Sequence, residues 1–438
     1  MLGNEDSPMN YPGNVYAFRQ DSSFLYYFGL DTPSVAGIVD IDENRDTLFA
    51  DEPTMDDIVW VGPQPPLSES AKRVGVKHTG SLGELSATIA AAVSSGRKVH
   101  YLPQYRADNR IKTGQLLEIS TSEVADKVSV ELIKAVVAQR SIKTEEEIAE
   151  IEVSMDICYE MHMAAMKSAR PGMIEHEVAG LIEGIALSKG GRLSFPPIFT
   201  IHGETLHNYY RGNVMKSGDI VINDSGAESA MHYCSDVTRT LPIGGKFSSQ
   251  QKDMYNIVLS SQEAAIQAVK PGVEFRDIHL LAGEVLCRGL KEMGLMKGDP
   301  AEAARAGAQT LFFQCGLGHM MGLDVHDMEG LGEDYVGYTD TIKRNPQFGF
   351  RFLRMGKALE PGHVMTVEPG LYFIPQLIDQ WKADNRLSEF INYDKVDQYR
   401  DFGGIRIEDD ILVTNDGFRL LGKPIPKSVE DVEALLSL

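Results

Sequence analysis

The chain has 438 residues and a formal net charge of −21, with 43% hydrophobic and 24% charged residues. That length asks for two domains with ample core, and the balance is ordinary for a globular protein. The excess of acids argues against nucleic acid and anionic membrane as partners, because both would repel it. The four cysteines, Cys158, Cys234, Cys287 and Cys315, are scattered with no CxxC pair, which favours a reducing, cytoplasmic home. The N-terminal stretch MLGNEDSPMNYPGN lacks the basic and apolar regions of a signal peptide, and no run of about 18 apolar residues could span a bilayer.

Residues 1–139 are expected to form a small α/β unit. Short extended runs at 15–18, 37–41, 47–50 and 58–60 alternate with helical stretches such as 82–93. The unit has aromatics but no cluster of His, Cys and acids, so a support, specificity or oligomerisation role is the default.

Residues 140–438 open differently. Thr144 and Glu147 have the spacing of a capping box, and Ile148, Ile151, Met155, Cys158, Met161 and Ala165 follow at helical intervals until Arg170-Pro171-Gly172. Ser248 and Gln251 repeat the device about a hundred residues later, before an apolar stripe that ends at Lys270-Pro271-Gly272. A second helical segment follows each stop, at 174–189 and at 275–293, and each half then reaches extended chain carrying acids. This is an internal pseudo-repeat whose two halves would bring four carboxylates to one place.

The acids sit where strands should bury apolar groups. The run from Asp219 through Asp224, the turn at Ser225-Gly226-Ala227 and the run carrying Asp236, Thr238 and Thr240 read as a β-hairpin with one carboxylate on each arm. Alone, the two aspartates would more often be solvated acids on a turn. In the second half, Glu368 ends an apolar strand before Pro369-Gly370, and alternation puts Arg406, Glu408 and Asp410 on one strand face. The segment CGLGHMMGLDVHD, residues 315–327, adds His319 and His326 in a glycine-rich bend. Buried carboxylates need cations. Two divalent ions roughly 3.5–4 Å apart would neutralise four of them and acidify water toward hydroxide, a nucleophile for an amide carbonyl. One imidazole among oxygen donors suits Mn, Co or Fe(II), and Zn less specifically. No HExxH helix and no GxSxG elbow is present, and the GxG in this bend lacks the spacing of a dinucleotide loop.

At these residues the chain resembles the pita-bread metallopeptidases, the family of methionine aminopeptidase, aminopeptidase P and prolidase. The resemblance implies an α+β fold: a pita-bread catalytic domain of two pseudo-two-fold halves at 140–438, after a smaller creatinase-like α/β domain at 1–139. It implies metal ligands Asp224, Asp236, His319, Glu368 and Glu408, with Asp236 and Glu408 bridging and Glu368 also moving a proton. His326 and His207 match histidines at the substrate, Arg406 an arginine that braces the metal-bound acids, and Arg354 an arginine that binds a dipeptide carboxylate in prolidases. Tyr372 is taken with them as substrate-binding, and Trp60 as matching a tryptophan that lines a neighbouring subunit's site. The segments at 16–30 and around DDIVWVG resemble the extra domain of the proline-specific branch.

The implied function is hydrolysis of the bond before proline in short peptides with proline second, as a Xaa-Pro dipeptidase or aminopeptidase. It implies two divalent ions, with Mn expected, and a homodimer or homotetramer. The alternatives are a non-catalytic homologue that binds peptides or proteins, and a metal-independent relative acting on amidines; the complete ligand set argues against both. Two departures stand out. The Asp224–Asp236 spacing is one residue longer than the family's, which would turn Asp236 to the wrong face unless the turn or a bulge absorbs it. Cys315 stands where relatives have histidine, which bears on substrate preference.

Overall fold

Thr144 accepts the N–H of Glu147, and Glu147 returns a carboxylate to the N–H of Thr144 at 2.9 Å, closing the first turn of the helix Glu145–Ser168. Ser248 and Gln251 do the same for Ser249–Gln267. Such reciprocal caps satisfy donors that a helix start leaves open. The structure, a computed structural model, describes residues 1–436 and divides into two units, Met1–Ala138 and Gln139–Leu438.

In the first unit, the strands Ala36–Asp40 and Arg45–Phe49 pair antiparallel, and the latter runs parallel to His78–Gly80. Phe24, Phe28 and Leu48 fill the core beside them. The helix expected near 82–93 is Leu82–Ser94. Two expected strands are not there as read. Of 15–18, only Val15 pairs, in a short hairpin with Pro8–Tyr11. Ile58, Val59 and Trp60 lie on the helix Met55–Val61, whose start is fixed by a Thr54–Asp57 capping box. A three-residue apolar run carries no period of its own, so the cap upstream decides the structure. Trp60 is 85% exposed.

The second unit repeats itself. Glu145–Ser168 is followed by Glu175–Ser188, and Ser249–Gln267 by Phe275–Glu292. The connections match atom for atom: Gly172 donates to Met215 and Gly272 to Leu359, each at 2.8 Å, while Met215 donates to Met173 and Leu359 to Val273, each at 2.9 Å. Both glycines have positive φ, a conformation that side chains disfavour. In the first half, Ile157, Met161, Val178, Ile182 and Phe199 form the core beneath the strands.

Each half offers one antiparallel hairpin. In the first, Ile220–Ser225 pairs with Val237–Pro242, with Thr238 opposite Asp224. The same register continues outward to a bridge between Glu228 and Cys234, through the N–H of Ser235 to the carbonyl of Ala227. The arms therefore contain no bulge. The turn between the arms is made at the tip, Ser229 to Tyr233, where His232 takes a left-handed φ of 68°. Asp224 and Asp236 both share a face with Thr238, so both stay on one side of the ladder.

In the second hairpin, Val364–Val367 pairs with Asp409–Val413 and Gly370–Tyr372 with Gly404–Arg406. Thr366 opposite Asp410 and Gly370 opposite Arg406 belong to one register, which puts Glu368 opposite Glu408. The hairpins join where the N–H of Glu408 donates to the carbonyl of Thr238 at 3.1 Å and the Thr240 hydroxyl donates to the carbonyl of Arg406 at 3.0 Å. Among the described residues no helix is long and apolar enough to cross a membrane.

Candidate metal centre

The strands that carry the acids are buried along their length, with Ile220–Ser225 and Val237–Pro242 enclosed at every position. Closure of the first hairpin depends on Gly226. A Cβ there would lie 1.8 Å from the carbonyl oxygen of Ser235 on the other arm. Asp236 follows directly, and its N–H donates to Asp410 Oδ2 at 3.0 Å.

Ligand-capable atoms of Asp236, His319 and Glu408 lie within 4.8 Å of one another. His319 Nδ1 faces the carbonyl of its neighbour Met320 at 3.1 Å. A carbonyl only accepts, so Nδ1 carries the proton and Nε2 offers its lone pair, the arrangement a metal-binding imidazole needs. Nε2 stands 3.4 Å from Glu368 Oε1 and 3.5 Å from Asp236 Oδ2. Burial holds the imidazole below its usual pKa, so these are contacts of a neutral ring. Gly318 brings the histidine in: a Cβ there would fall 2.0 Å from the Thr366 carbonyl.

Arg406 spans the floor. Its Nη2 donates to Asp224 Oδ2 at 2.5 Å, its Nε to Thr238 Oγ1 at 3.0 Å and its Nη1 to the Tyr372 hydroxyl at 2.8 Å. Thr238 in turn donates to Glu408 Oε2 at 2.7 Å. One guanidinium cannot balance the acids around it. Asp224 Oδ1, Asp236 Oδ1, Glu408 Oε1 and Asp410 Oδ1 are buried acceptors with no donor. Burial first, and repulsion from neighbouring carboxylates second, hold Asp236, Glu408 and Asp410 well above the usual carboxylate range. Burial likewise pushes Glu368 up to about 7 against the pull of His319 and Arg406. Clustered acids with unmet lone pairs and one neutral imidazole fit hard-to-borderline divalent cations.

The remaining expected site residues surround this core. The His326 ring meets His319 edge-on with centroids 4.4 Å apart, and its Nδ1 donates to Glu329 Oε2 at 2.7 Å. His207 lies on an exposed loop. Partial desolvation lowers its pKa, with Arg406 and then the opposing Asp224 next in effect. Tyr372 is fully buried behind Arg406. Cys315 lies at the same end, and burial pushes its thiol up to about 12. Arg354 is already paired, 2.6 Å from Glu333 and 2.7 Å from Glu329.

Sequence reasoning did not single out Thr238 as the link between Arg406 and Glu408, Asp410 as the acceptor for the Asp236 backbone, or Glu329 as the partner of His326. Strand alternation already set Asp410 on the acid face. Nothing in the local sequence marks Glu329, which opens the short 3-10 helix Glu329–Leu331.

A pseudo-two-fold pair of hairpins that gathers buried carboxylates, Asp236 and Glu408 among them, around His319 defines a metallohydrolase of the pita-bread type. Residues 149–415 match the model of metallopeptidase family M24, and residues 1–101 match the aminopeptidase P N-terminal domain. The chain belongs to metallopeptidase family M24. It is 32% identical over 450 residues to the human Xaa-Pro dipeptidase, covering 100% of this chain and 88% of that protein. It is 33% identical over 430 residues to a probable Xaa-Pro aminopeptidase of Aspergillus clavatus, covering 95% and 88%. Among solved structures, Zn-substituted E. coli aminopeptidase P in complex with product superposes with a TM-score of 0.80 at 28% identity, covering 100% of this chain and 93% of that one.

Proposed function

We propose that this protein is a metal-dependent Xaa-Pro peptidase that hydrolyses the bond before a proline in second position, with two divalent ions held by Asp224, Asp236, His319, Glu368 and Glu408. The observation that carries the reading is the set of orphaned carboxylate oxygens facing a correctly tautomerised histidine. When bound, divalent ions there polarise a carbonyl and acidify water near neutral pH.

The chain's own residues supply the rest. Glu368, with a carboxyl near neutrality, takes a proton from the attacking water and passes it to the prolyl nitrogen. His207 is assigned to the substrate carbonyl, where a donor stabilises the developing oxyanion, and His326, whose Nδ1–H is held by Glu329, joins it when Nε2 is protonated. Tyr372 and Thr238 hold Arg406, and Arg406 holds Asp224, so the acid is oriented before substrate arrives. Mn is the expected metal, on the oxygen-rich donor set. A cytoplasmic homodimer or homotetramer is the expected form.

The test is metal analysis after purification without added metal, followed by Mn titration of Gly-Pro and Gly-Pro-Ala hydrolysis. Metal-dependent cleavage of either peptide, lost in Asp236→Ala together with the bound metal, is the expected result. An Asp236→Ala protein with full metal content and full activity overturns the assignment.

A further inference from the structure

Beside the metal cup, a chain of charges runs outward from His326. Glu329 accepts from His326 through Oε2 and meets Arg354 through Oε1, 2.7 Å in each case. Arg354 is also held by Glu333 at 2.6 Å, and Arg344 holds Glu333 at 2.5 Å and Asp334 at 3.1 Å. Met328, in the left-handed conformation at φ 61°, turns the backbone so that Glu329 reaches back over His326. Arg354 lies beside the site, joined to His326 through the single carboxylate of Glu329.

A guanidinium in such a place would draw the free carboxylate of a dipeptide, which lies one residue beyond the scissile bond. Here two carboxylates already match its charge, and one of them is also fixed to a site histidine. The ion pairs join three acids, Glu329, Glu333 and Asp334, to two arginines, Arg344 and Arg354. A dipeptide's terminal carboxylate must therefore displace Glu329 from both partners or Glu333 from Arg354. A longer peptide presents a neutral peptide carbonyl at the same point and meets neither cost.

We propose that Glu329 and Glu333 are specificity-determining residues that turn this site away from free Xaa-Pro dipeptides and toward longer peptides with proline second. The inference rests on the Xaa-Pro reading and decides between its two branches. Glu329 is the stronger determinant, because it alone links Arg354 to His326.

The experiment compares kcat/KM for Gly-Pro and Gly-Pro-Ala in the Mn-loaded full chain, in Glu329→Gln and in Glu333→Gln. The wild-type enzyme favours the tripeptide by about tenfold or more, and each variant moves the ratio toward the dipeptide by about threefold or more. Glu333→Gln touches Arg354 without touching His326, so a shared shift cannot come from a disturbed histidine. A wild-type preference for Gly-Pro, or an unchanged ratio in both folded variants, overturns the proposal. Cleavage of neither peptide by wild type removes the peptidase reading and this proposal with it; cleavage of both with an unmoved ratio removes only the proposal.

Discussion

Glu368 and Glu408 lie opposite each other at the break between the two ladders of the second hairpin, which keep one antiparallel register on either side. Both carboxyls are raised, Glu368 to about 7. A carboxyl raised in the folded state binds its proton more tightly there, so its cost to stability is full above pH 7 and is relieved as pH falls toward the ordinary value of about 4.3. A divalent ion competes with those protons. Mn should therefore raise the melting temperature of metal-stripped protein more at about pH 8 than at about pH 5.5. Thermal melts with and without Mn at both pH values check this, and an equal or reversed shift contradicts it.

Gly226 is where the first hairpin's arms touch. In Gly226→Ala the new methyl meets the Ser235 carbonyl at 1.8 Å, and that oxygen is backbone and cannot swing aside. The arms must part beside Asp236. The expected cost is about 3 kcal/mol or more, with lowered metal content. Urea unfolding and metal analysis of the purified variant measure both.

His162, His279 and His363 are buried and neutral, pushed down by burial to about 4, about 4 and about 3. The unfolded chain protonates these groups below about pH 6.5, and the folded one does so only near pH 4 or lower. Stability is therefore full above pH 6.5 and falls as pH drops toward 4, by on the order of 3 kcal/mol for each histidine. His279 isolates the effect. Neither ring nitrogen has a partner, and the ring packs against Phe313 and Phe350 at centroid distances of 5.3 and 5.5 Å. His279→Phe should keep or raise stability at pH 7, by about 1–3 kcal/mol where the unmet polar cost is relieved, and should flatten the acid slope. Urea midpoints across that pH range test it.

Asp327 anchors the histidine loop. Burial alone would raise its carboxyl, but Lys143 and Arg140, each 2.7 Å away, outweigh that and hold it below the usual range. Its N–H donates to the Met320 carbonyl, the group that also orients His319. Asp327→Ala takes the carboxylate from buried Lys143 and leaves Arg140 with Asp324 at 3.1 Å, and the expected loss is about 3 kcal/mol. The wild-type contribution is present above about pH 3.9 and is lost as pH falls through the lower folded value. Chemical denaturation of the variant at pH 7 measures it.

The sequence made the helix pairs legible because caps, apolar stripes and Pro-Gly stops agree at each one. The acids were legible as a buried cluster because strands expel unpaired charge, and Asp224, Asp236 and Glu408 lie on strand-like runs. The fate of Ile58 to Trp60 was not, since three apolar residues fit a helix or a strand equally. Arg354 was read as open to substrate; its pairing with Glu329 and Glu333 depends on a loop fold set by Met328, and no local pattern encodes it. Asp327 was invisible for a similar reason. Its partners Arg140 and Lys143 are far away in sequence, and only the folded unit brings them together.

The tip from Ser229 to Tyr233 makes the turn while the arms below keep their register. Ala230 and Met231 project into solvent, so a reporter group grafted between them would ride on the metal cup's wall without entering it.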